Sequence, residues 1–529
     1  MRATRRATGT VSGAAVAILC AVSVLADVKW PNETTCRDGN LASTGEDGWG
    51  RALPVAEDVT FAGGGTYTVY LDNESIALAT NVYTVAEPKV YGTFAIYQYA
   101  NKPPHATFDI RNHANLLVRN LYFGFNNNNN PIDGVSTDFV VRDGSSLHAL
   151  DEVSLRGGIC SLVVTNGSTL TTDGKFFLHS TSTRAQDFGA VCARLRLQDS
   201  VWTVNGNAQL GNGSCPSTII PDIAAGFTNS VIDLNSSLEA NFARVSFKDC
   251  EVDGRNADGS VRAATNPNIK LGYGAEIVFD GGIYENLAIC PGYGSGLSTI
   301  RLNAGQMNLT GLWMSPTPGA DAIFEIDGET AEVHYPNSRD DNIGFRAKAT
   351  VSLVAGFMQA TSGGFTKVGV GNSSYKTGIG HANISGGTWI LNAPERPGGF
   401  YVGENGEGHV SVSGGFLAGN YVQVVSTLGN SDFKMTGGHV RLDARYGAEA
   451  ATTQRINTDE DGRLQMTWGA ARAVLDGGVI EANGIIGGAG SELSANGGLV
   501  RVLPLPVKQT VSDPFIGGFG SAEIGRAHV

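Results

Sequence analysis

Charge is scarce in this chain: Asp, Glu, Lys and Arg make up 16 % of its 529 residues, against roughly a quarter in ordinary soluble domains. The balance is acidic, with a formal net charge of −13, and no basic stripe interrupts it. A nucleic-acid partner needs clustered cations along one face and is therefore not expected. After residue 25 no apolar run is long enough to cross a membrane as a helix. The three-to-four-residue apolar spacing of an amphipathic helix is missing between the motifs described below. No Cys-x-x-Cys pair occurs, which argues against the usual zinc and redox sites. Cysteine stops at Cys290, and no Pro-rich or charged linker divides the chain.

What the sequence has in abundance is glycine, 71 residues, about twice the usual share. Apolar content is an ordinary 42 %, so a core is within reach and disorder is a poor reading. Low charge with much Gly, Asn, Ser and Thr suits short strands joined by tight turns.

The two ends carry separate signals. Arg2, Arg5 and Arg6 precede an apolar run from Ala14 to Leu25, and Val24-Leu25-Ala26 has side chains a signal peptidase accepts. That layout predicts a secretory leader over residues 1–26. A lipoprotein reading of Cys20 fails on bulky Leu19. At the other end, Glu523-Ile524-Gly525-Arg526-Ala527-His528-Val529 matches the translation of a common sequencing adapter. Residues 523–529 are therefore expected to be a non-native tail, with the genuine C-terminus, and any anchor there, missing.

Removal of the leader leaves Cys36, Cys160, Cys192, Cys215, Cys250 and Cys290. In an oxidising compartment an even set favours disulfides, whose pairing the sequence leaves open. The alternative is buried thiols filling core positions.

The main evidence is a repeat. Gly-Gly pairs end at Gly282, Gly364, Gly387, Gly415, Gly438, Gly478 and Gly498. Most of the spacings between them fit one, two or several units of about 20–28 residues, the range of a solenoid repeat. Ile384-Ser385-Gly386-Gly387-Thr388-Trp389, Val412-Ser413-Gly414-Gly415-Phe416-Leu417, Met435-Thr436-Gly437-Gly438-His439-Val440 and Leu475-Asp476-Gly477-Gly478-Val479-Ile480 share one pattern. Each follows a strand in which apolar and polar residues alternate, as at Val410 to Ser413, the mark of a half-buried strand. The glycines then permit a sharp bend. Such a bend once per unit describes one coil of a solenoid whose inward side chains stack on the next coil. Fainter copies precede it. Asp143-Gly144 and Asn166-Gly167 lie one unit apart, and the strands before Trp202 and Val252 keep the frame with Ser200 and Cys250 in place of glycine.

The fold expected is all-β, a right-handed parallel β-helix. Residues 27–110 form an irregular N-terminal cap with the first strands, and residues 111–522 the repeat domain. A β-sandwich array or propeller is the rival, since Asn-Gly and Asp-Gly also close antiparallel hairpins.

Val402-Gly403-Glu404-Asn405-Gly406-Glu407-Gly408-His409-Val410-Ser411-Val412-Ser413-Gly414-Gly415 resembles the glycine-rich repeat of bacterial autotransporter passenger domains and related β-helical surface proteins. Val368-Gly369-Val370-Gly371, leading to Gly378-Ile379-Gly380-His381 and Gly386-Gly387, is a degenerate copy. Trp49, Pro54, Asp58-Val59-Thr60-Phe61 and Tyr67-Thr68-Val69 resemble the opening of such regions. The close match covers residues 362–500. The resemblance implies a secreted or cell-surface β-helix with an adhesin-like or structural role, and it carries over no catalytic residue.

Enzymes are tested against this. Glycoside cleavage needs two carboxylates across the bond, and Asp340-Asp341, Asn457-Thr458-Asp459 and Gly378–His381 are superficially similar to polygalacturonase motifs, in a different chain order. Arg339-Asp340-Asp341 is the one dense lyase candidate, and an exposed ion-paired turn accounts for it equally well. Gly292-Tyr293-Gly294-Ser295-Gly296 lacks the Lys-Ser/Thr of a phosphate loop and reads as a turn. Trp202, Trp313, Trp389 and Trp468 are sugar-stacking candidates that read better as packing. Asn126–Asn130 reads as a solvated loop, and Asn212, Asn235, Asn308 and Asn372 are glycosylation sequons that matter in a eukaryotic host. No catalytic, cofactor-binding or metal residue is assigned, and no cofactor is expected. The expected partner is an extracellular polysaccharide or a host or cell-surface ligand, with membrane contact only through a C-terminal anchor that is missing. The alternative is a β-helix polysaccharide lyase or glycoside hydrolase.

Overall fold

In the computed structural model the described residues are 104–125, 136–156, 159–179, 193–211, 223–336, 342–362, 364–371, 378–393, 397–426, 430–443 and 462–503. Short pieces lie outside them at 28–29, 39–40, 46, 59–61, 65–72, 91–97, 516–517 and 521–524. The leader over 1–26, Cys36, Cys192, Cys215, Trp49, Asn126–Asn130, Asn212, Arg339-Asp340-Asp341, Asn372 and Asn457–Asp459 fall outside them, as does the Trp468 side chain.

Alternating strands need neighbours on both edges, and the chain supplies them by returning on itself. Among the described residues there is no helix and every strand pairs in parallel. The sole antiparallel contact there is an isolated bridge between Val370 and Asn405. Antiparallel sandwiches and propellers are excluded on that ground.

The pairing runs in three ladders. The first joins Pro104–Arg111 to Ser136–Val141, then Ile159–Thr165 and Ala193–Gln198, and continues to Ser521–Ile524. One register position passes from Ile110 through Val141, Val164, Leu197, Phe227, Phe247, Phe279, Leu302, Ile326, Leu353, Ile384, Val412, Met435 and Leu475 to Ala495. All of these are buried. A second ladder stacks Leu147, Leu170, Trp202, Ile232, Val252, Tyr284, Met307, Val333, Met358, Trp389, Leu417, Val440 and Ile480. The third has two parts. Leu121 to Leu312 form one, and Asn342–Ile343 through Gly484–Gly487 belong to a separate seven-stranded sheet. Gly65–Asp72 already pairs in register with Pro104–Arg111.

The core lies between the ladders. Parallel stacking puts like side chains on like: Phe227, Phe247 and Phe279 stack at 4.7 and 5.0 Å between ring centroids, nearly coplanar. Offset aromatic pairs at such spacing add about 0.5–1.5 kcal/mol each beyond area burial. Trp202 and Trp389 are fully buried in the second ladder. The packing reading of both is correct. The Trp389 indole N–H donates to the Tyr335 hydroxyl at 3.0 Å, which meets Thr366 at 2.7 Å.

The Gly-Gly pairs mark the corner between the first and second ladders, and the two glycines answer different constraints. The second sits at positive φ, from 64° at Gly387 to 90° at Gly282, where Gly281 is positive as well; a Cβ is strained there. The first lies under the previous circuit. A Cβ on Gly477 would be 2.5 Å from the Thr436 carbonyl oxygen, and at Gly386, Gly414 and Gly437 the carbonyls of Val354, Ser385 and Ser413 are closer still. Gly364 does not belong to this series. It opens the strand Gly364–Val368 in the seven-stranded sheet, and Gly356, at φ 82°, holds the corner instead. A glycine pair alone does not reveal which corner it occupies, because close approach recurs at all of them.

Earlier circuits build the same corner with side chains. Asp143, Asn166, Asp199, Asn229 and Asp249 take positive φ ahead of the register position of the second glycine, a conformation that Asn and Asp tolerate best after glycine. A buried column of Ser145, Ser168, Ser200, Ser230 and Cys250 follows. Ser145 N–H donates to Ser168 Oγ at 3.2 Å and Ser200 N–H to Ser230 Oγ at 3.3 Å. Ser230 Oγ donates to the Thr228 carbonyl at 2.8 Å, and Cys250 Sγ stands in the same relation to Lys248 at 3.3 Å. Cys250 thus fills a serine place as an unbonded thiol, and Cys290 is likewise buried and unbonded. The disulfide expectation is wrong for these two. Burial pushes both thiols up. Cys160 is buried against Thr137 and Ala193 in the first ladder.

The corner can be tested by substitution. Gly414→Ala should lower stability by about 2 kcal/mol or more through overpacking. Gly167→Ala, where nothing lies within 4 Å of the added Cβ, should cost only the backbone strain of about 1–2 kcal/mol. Denaturant midpoints compare them, and equal losses would discard the close-approach account. Cys250→Ser should change stability by less than about 1.5 kcal/mol. Iodoacetamide should leave Cys250 and Cys290 of the folded chain unmodified and label both once it is unfolded, as followed by mass spectrometry.

Candidate functional site

With the interior filled, function falls to the outward positions, which the strand alternation places between the buried ones. Ala320–Ile326 reads buried and part-exposed by turns, as does Ile379–Ile384. The outward face of the first ladder carries two groupings that stand apart from the scattered polar surface.

The first is a stack of imidazoles and carboxylates. Ile379–Ile384, Glu407–Val412 and Asp432–Met435 bring His381, His409 and Asp432 into one register. The two rings stack with centroids 4.9 Å apart and 14° between planes. His409 Nδ1 meets Asp432 Oδ1 at 3.0 Å, and Nε2 meets Glu407 Oε1 at 3.2 Å. The hydrogen bond to Asp432, aided by that to Glu407, holds the His409 imidazole above its ordinary value despite partial burial. Burial, together with the neighbouring His409 and Lys348, holds His381 below it. Both carboxylates are bound to one ring rather than facing each other across a cleft, so the grouping resembles a proton-holding site more than a pair of cutting acids.

The second is a depression of about 510 Å³ lined by Arg194, Arg196, Gly226, Arg244, Ser246, Glu276 and Val278, with Leu195, Ala225 and Val245 beneath. Arg194 and Arg244 share a register position with Ala224 on the strand between them, and Arg196, Gly226 and Ser246 share the next outward one. Several outward arginines elsewhere on the strands have acidic partners. Arg142 bonds Asp109 at 2.8 Å, Arg472 lies 3.5 Å from Glu492, and Arg301 lies 3.7 Å from Glu276 and 3.5 Å from Glu325. Among the described residues no carboxylate forms an ion pair with Arg194, Arg196 or Arg244.

The residues singled out from sequence are dispersed. His381 belongs to the imidazole stack, Gly378 only to the turn before it. Gly292–Gly296 is a turn whose amides are already bonded: Gly292 N–H to Ser298 Oγ at 2.8 Å, Tyr293 N–H to Leu271 at 2.8 Å and Gly296 N–H to Gly319 at 2.9 Å. None of these three faces a phosphate. Trp313 packs on Phe345 at 5.7 Å. Asn235 is half-buried and donates to Asn205 at 2.7 Å. Sequence reasoning missed Arg194, Arg196 and Arg244, whose outward alternation with Leu195 and Leu197 was visible but whose third member lies two circuits on. It also missed Phe365, 41 % exposed and 5.6 and 5.2 Å from the rings of Tyr401 and Tyr421. Among the described residues no group of three or more His, Cys, Asp and Glu is placed to hold a metal ion.

The histidines generate a pH prediction. His409, raised in the fold, contributes stability that is complete below the unfolded value of about 6.5 and is lost as pH rises through its folded value. His381, depressed, contributes stability present above about 6.5 and lost as pH falls through its folded value. In a ring-proton NMR titration His409 should therefore titrate at higher pH than His381. Asp432→Asn should bring His409 down and destabilise the chain more at about pH 5.5 than at about pH 9. Coincident titrations would refute the assignment.

No family model, no curated protein and no solved structure matches the chain.

Proposed function

We propose that this chain is a right-handed parallel β-helix, secreted to the cell exterior or its surface, with an adhesin-like or structural role and no catalysis of its own. The observation that carries the reading is the parallel stacking of the described strands in three ladders around one filled core, in register but for a few local shifts. Such an array grows by addition of circuits and presents long lateral faces. Right-handedness follows from the chirality of parallel crossovers, which holds in about 98 % of cases. Export rests on Arg2, Arg5 and Arg6 with the apolar run to Leu25, and the autotransporter-passenger resemblance on residues 362–500. Register supports the internal repeat within that stretch: Val368 pairs with Val402, Gly380 with Gly408 and Ile384 with Val412.

A second reading, a glycan-cleaving β-helix, is favoured by one observation, the grouping of Glu407, Asp432 and two histidines on a single lateral face. Against it stands the geometry of that grouping, with both acids tied to His409. The purified chain incubated with acidic and neutral polysaccharides should release no reducing ends and no unsaturated uronates. Product release that disappears in His409→Gln and Asp432→Asn would replace the scaffold reading with the enzymatic one.

A further inference from the structure

We infer that the depression over Gly226 binds a linear acidic polysaccharide, gripping its carboxylates with Arg194, Arg196 and Arg244. The inference rests on the extracellular scaffold reading and names the partner of its lateral face.

Three observations converge on it. The first is charge. In a chain of net charge −13, three arginines cluster without an ion pair among the described residues, since Glu276, in register beside Arg244, lies against Arg301, whereas Arg142 and Arg472 are paired. Arg194 and Arg244 are two strand spacings apart, about 10 Å, and Arg196 is displaced along its strand from Arg194 by about 7 Å. Cations at such separations repel one another, and a bound polyanion removes that cost. Arginine's planar fork also suits carboxylates better than lysine does.

The second is space. Most corner glycines are forced by backbone, but Gly226 is not. Its φ is not in the positive range, and an added Cβ would meet only Ser246 Oγ at 3.6 Å. A side chain would fit there, yet its absence leaves the floor of the depression open between the arginines. The third is the lining itself. Ser246 and Glu276 offer a hydroxyl and an acceptor for sugar hydroxyls, and no aromatic side chain contributes. Single-stranded nucleic acid needs stacking platforms and a long basic track. A peptide partner needs an aromatic or bulky apolar anchor site. A ribbon of hydroxyls and regularly spaced carboxylates needs neither.

The test uses the full chain and polygalacturonate as probe, with its fully methyl-esterified form, dextran sulfate and single-stranded DNA alongside. Polygalacturonate should bind, the neutral ester should not, and salt should weaken binding. Arg194→Gln, Arg196→Gln and Arg244→Gln should each lower affinity roughly tenfold, the usual worth of a charge-assisted hydrogen bond. Gly226→Phe, which fills the depression, should abolish binding while leaving the melting temperature within a few degrees. Undiminished binding by the triple arginine variant, equal binding of the neutral ester, or a preference for DNA over polygalacturonate overturns the inference. If those arms fail while no polymer is cleaved, the site falls and the scaffold reading stands. If binding holds but the polymer is cut, the site stands and the non-catalytic reading falls.

Discussion

Everything in this molecule depends on parallel strands stacking in register, one circuit on the next. A slip of one residue along a whole strand would turn its inward set outward, and the ladders here tolerate shifts only as local bulges such as that between Phe279 and Asp280. Each position must therefore suit the same position in the circuits before and after it. Inside, that requirement yields columns of aliphatic residues and the Phe227–Phe247–Phe279 stack. At the corner it yields carbonyl oxygens pressed against the next backbone, which glycine relieves in later circuits and a serine column accommodates in earlier ones.

The same requirement disciplines the surface. Stacking like on like is favourable for apolar side chains and unfavourable for charges, so neighbouring outward charges often differ in sign, as Asp321 with Lys348, Arg244 with Glu276 or Arg301 with Glu325. Alternation is not universal: Asp233, Asp253 and Glu285 stack in one column, and two further places depart from it on the first ladder. At His381 and His409 two imidazoles are stacked, and the fold separates them by raising the pKa of His409 through Asp432 and Glu407 and lowering that of His381 through burial. At Arg194 and Arg244 the like charges are separated by one circuit carrying Ala224, and the one carboxylate beside them, Glu276 next to Arg244, lies 3.7 Å from Arg301 instead. Departures from a local rule without an internal compensation are where an external partner is best sought.

Much of the fold was legible in residues 362–500. The alternation at Val410 to Ser413 and the glycine pairs at Gly387, Gly415, Gly438, Gly478 and Gly498 each reported one circuit, and the substitution of Ser200 and Cys250 for glycine located two more. Gly364 misled because a close backbone approach looks the same in sequence at any corner. The thiols of Cys250 and Cys290 misled because an even cysteine number speaks of compartment, whereas burial, of Cys250 in the serine column and of Cys290 beside Lys270 in the third ladder, is a property of neighbours a circuit away. The outward groupings were nearly illegible. His381 and His409 lie on successive circuits, and Arg194 and Arg244 are separated by a whole circuit between them.

The sequence by itself determined that the chain builds short half-buried strands, that they bend at glycine or Asn/Asp-Ser corners, and that the unit recurs, because side-chain period and backbone permissiveness are local properties. Tertiary structure alone decided which strands are neighbours, and with that which outward side chains meet. Circuits differ in length: the one from Met435 to Leu475 takes twice as much chain as the next, from Leu475 to Ala495. Separation along the chain therefore does not predict adjacency, and only the hydrogen-bonded register brings His409 to Asp432 and sets Arg194 in line with Arg244 around Gly226.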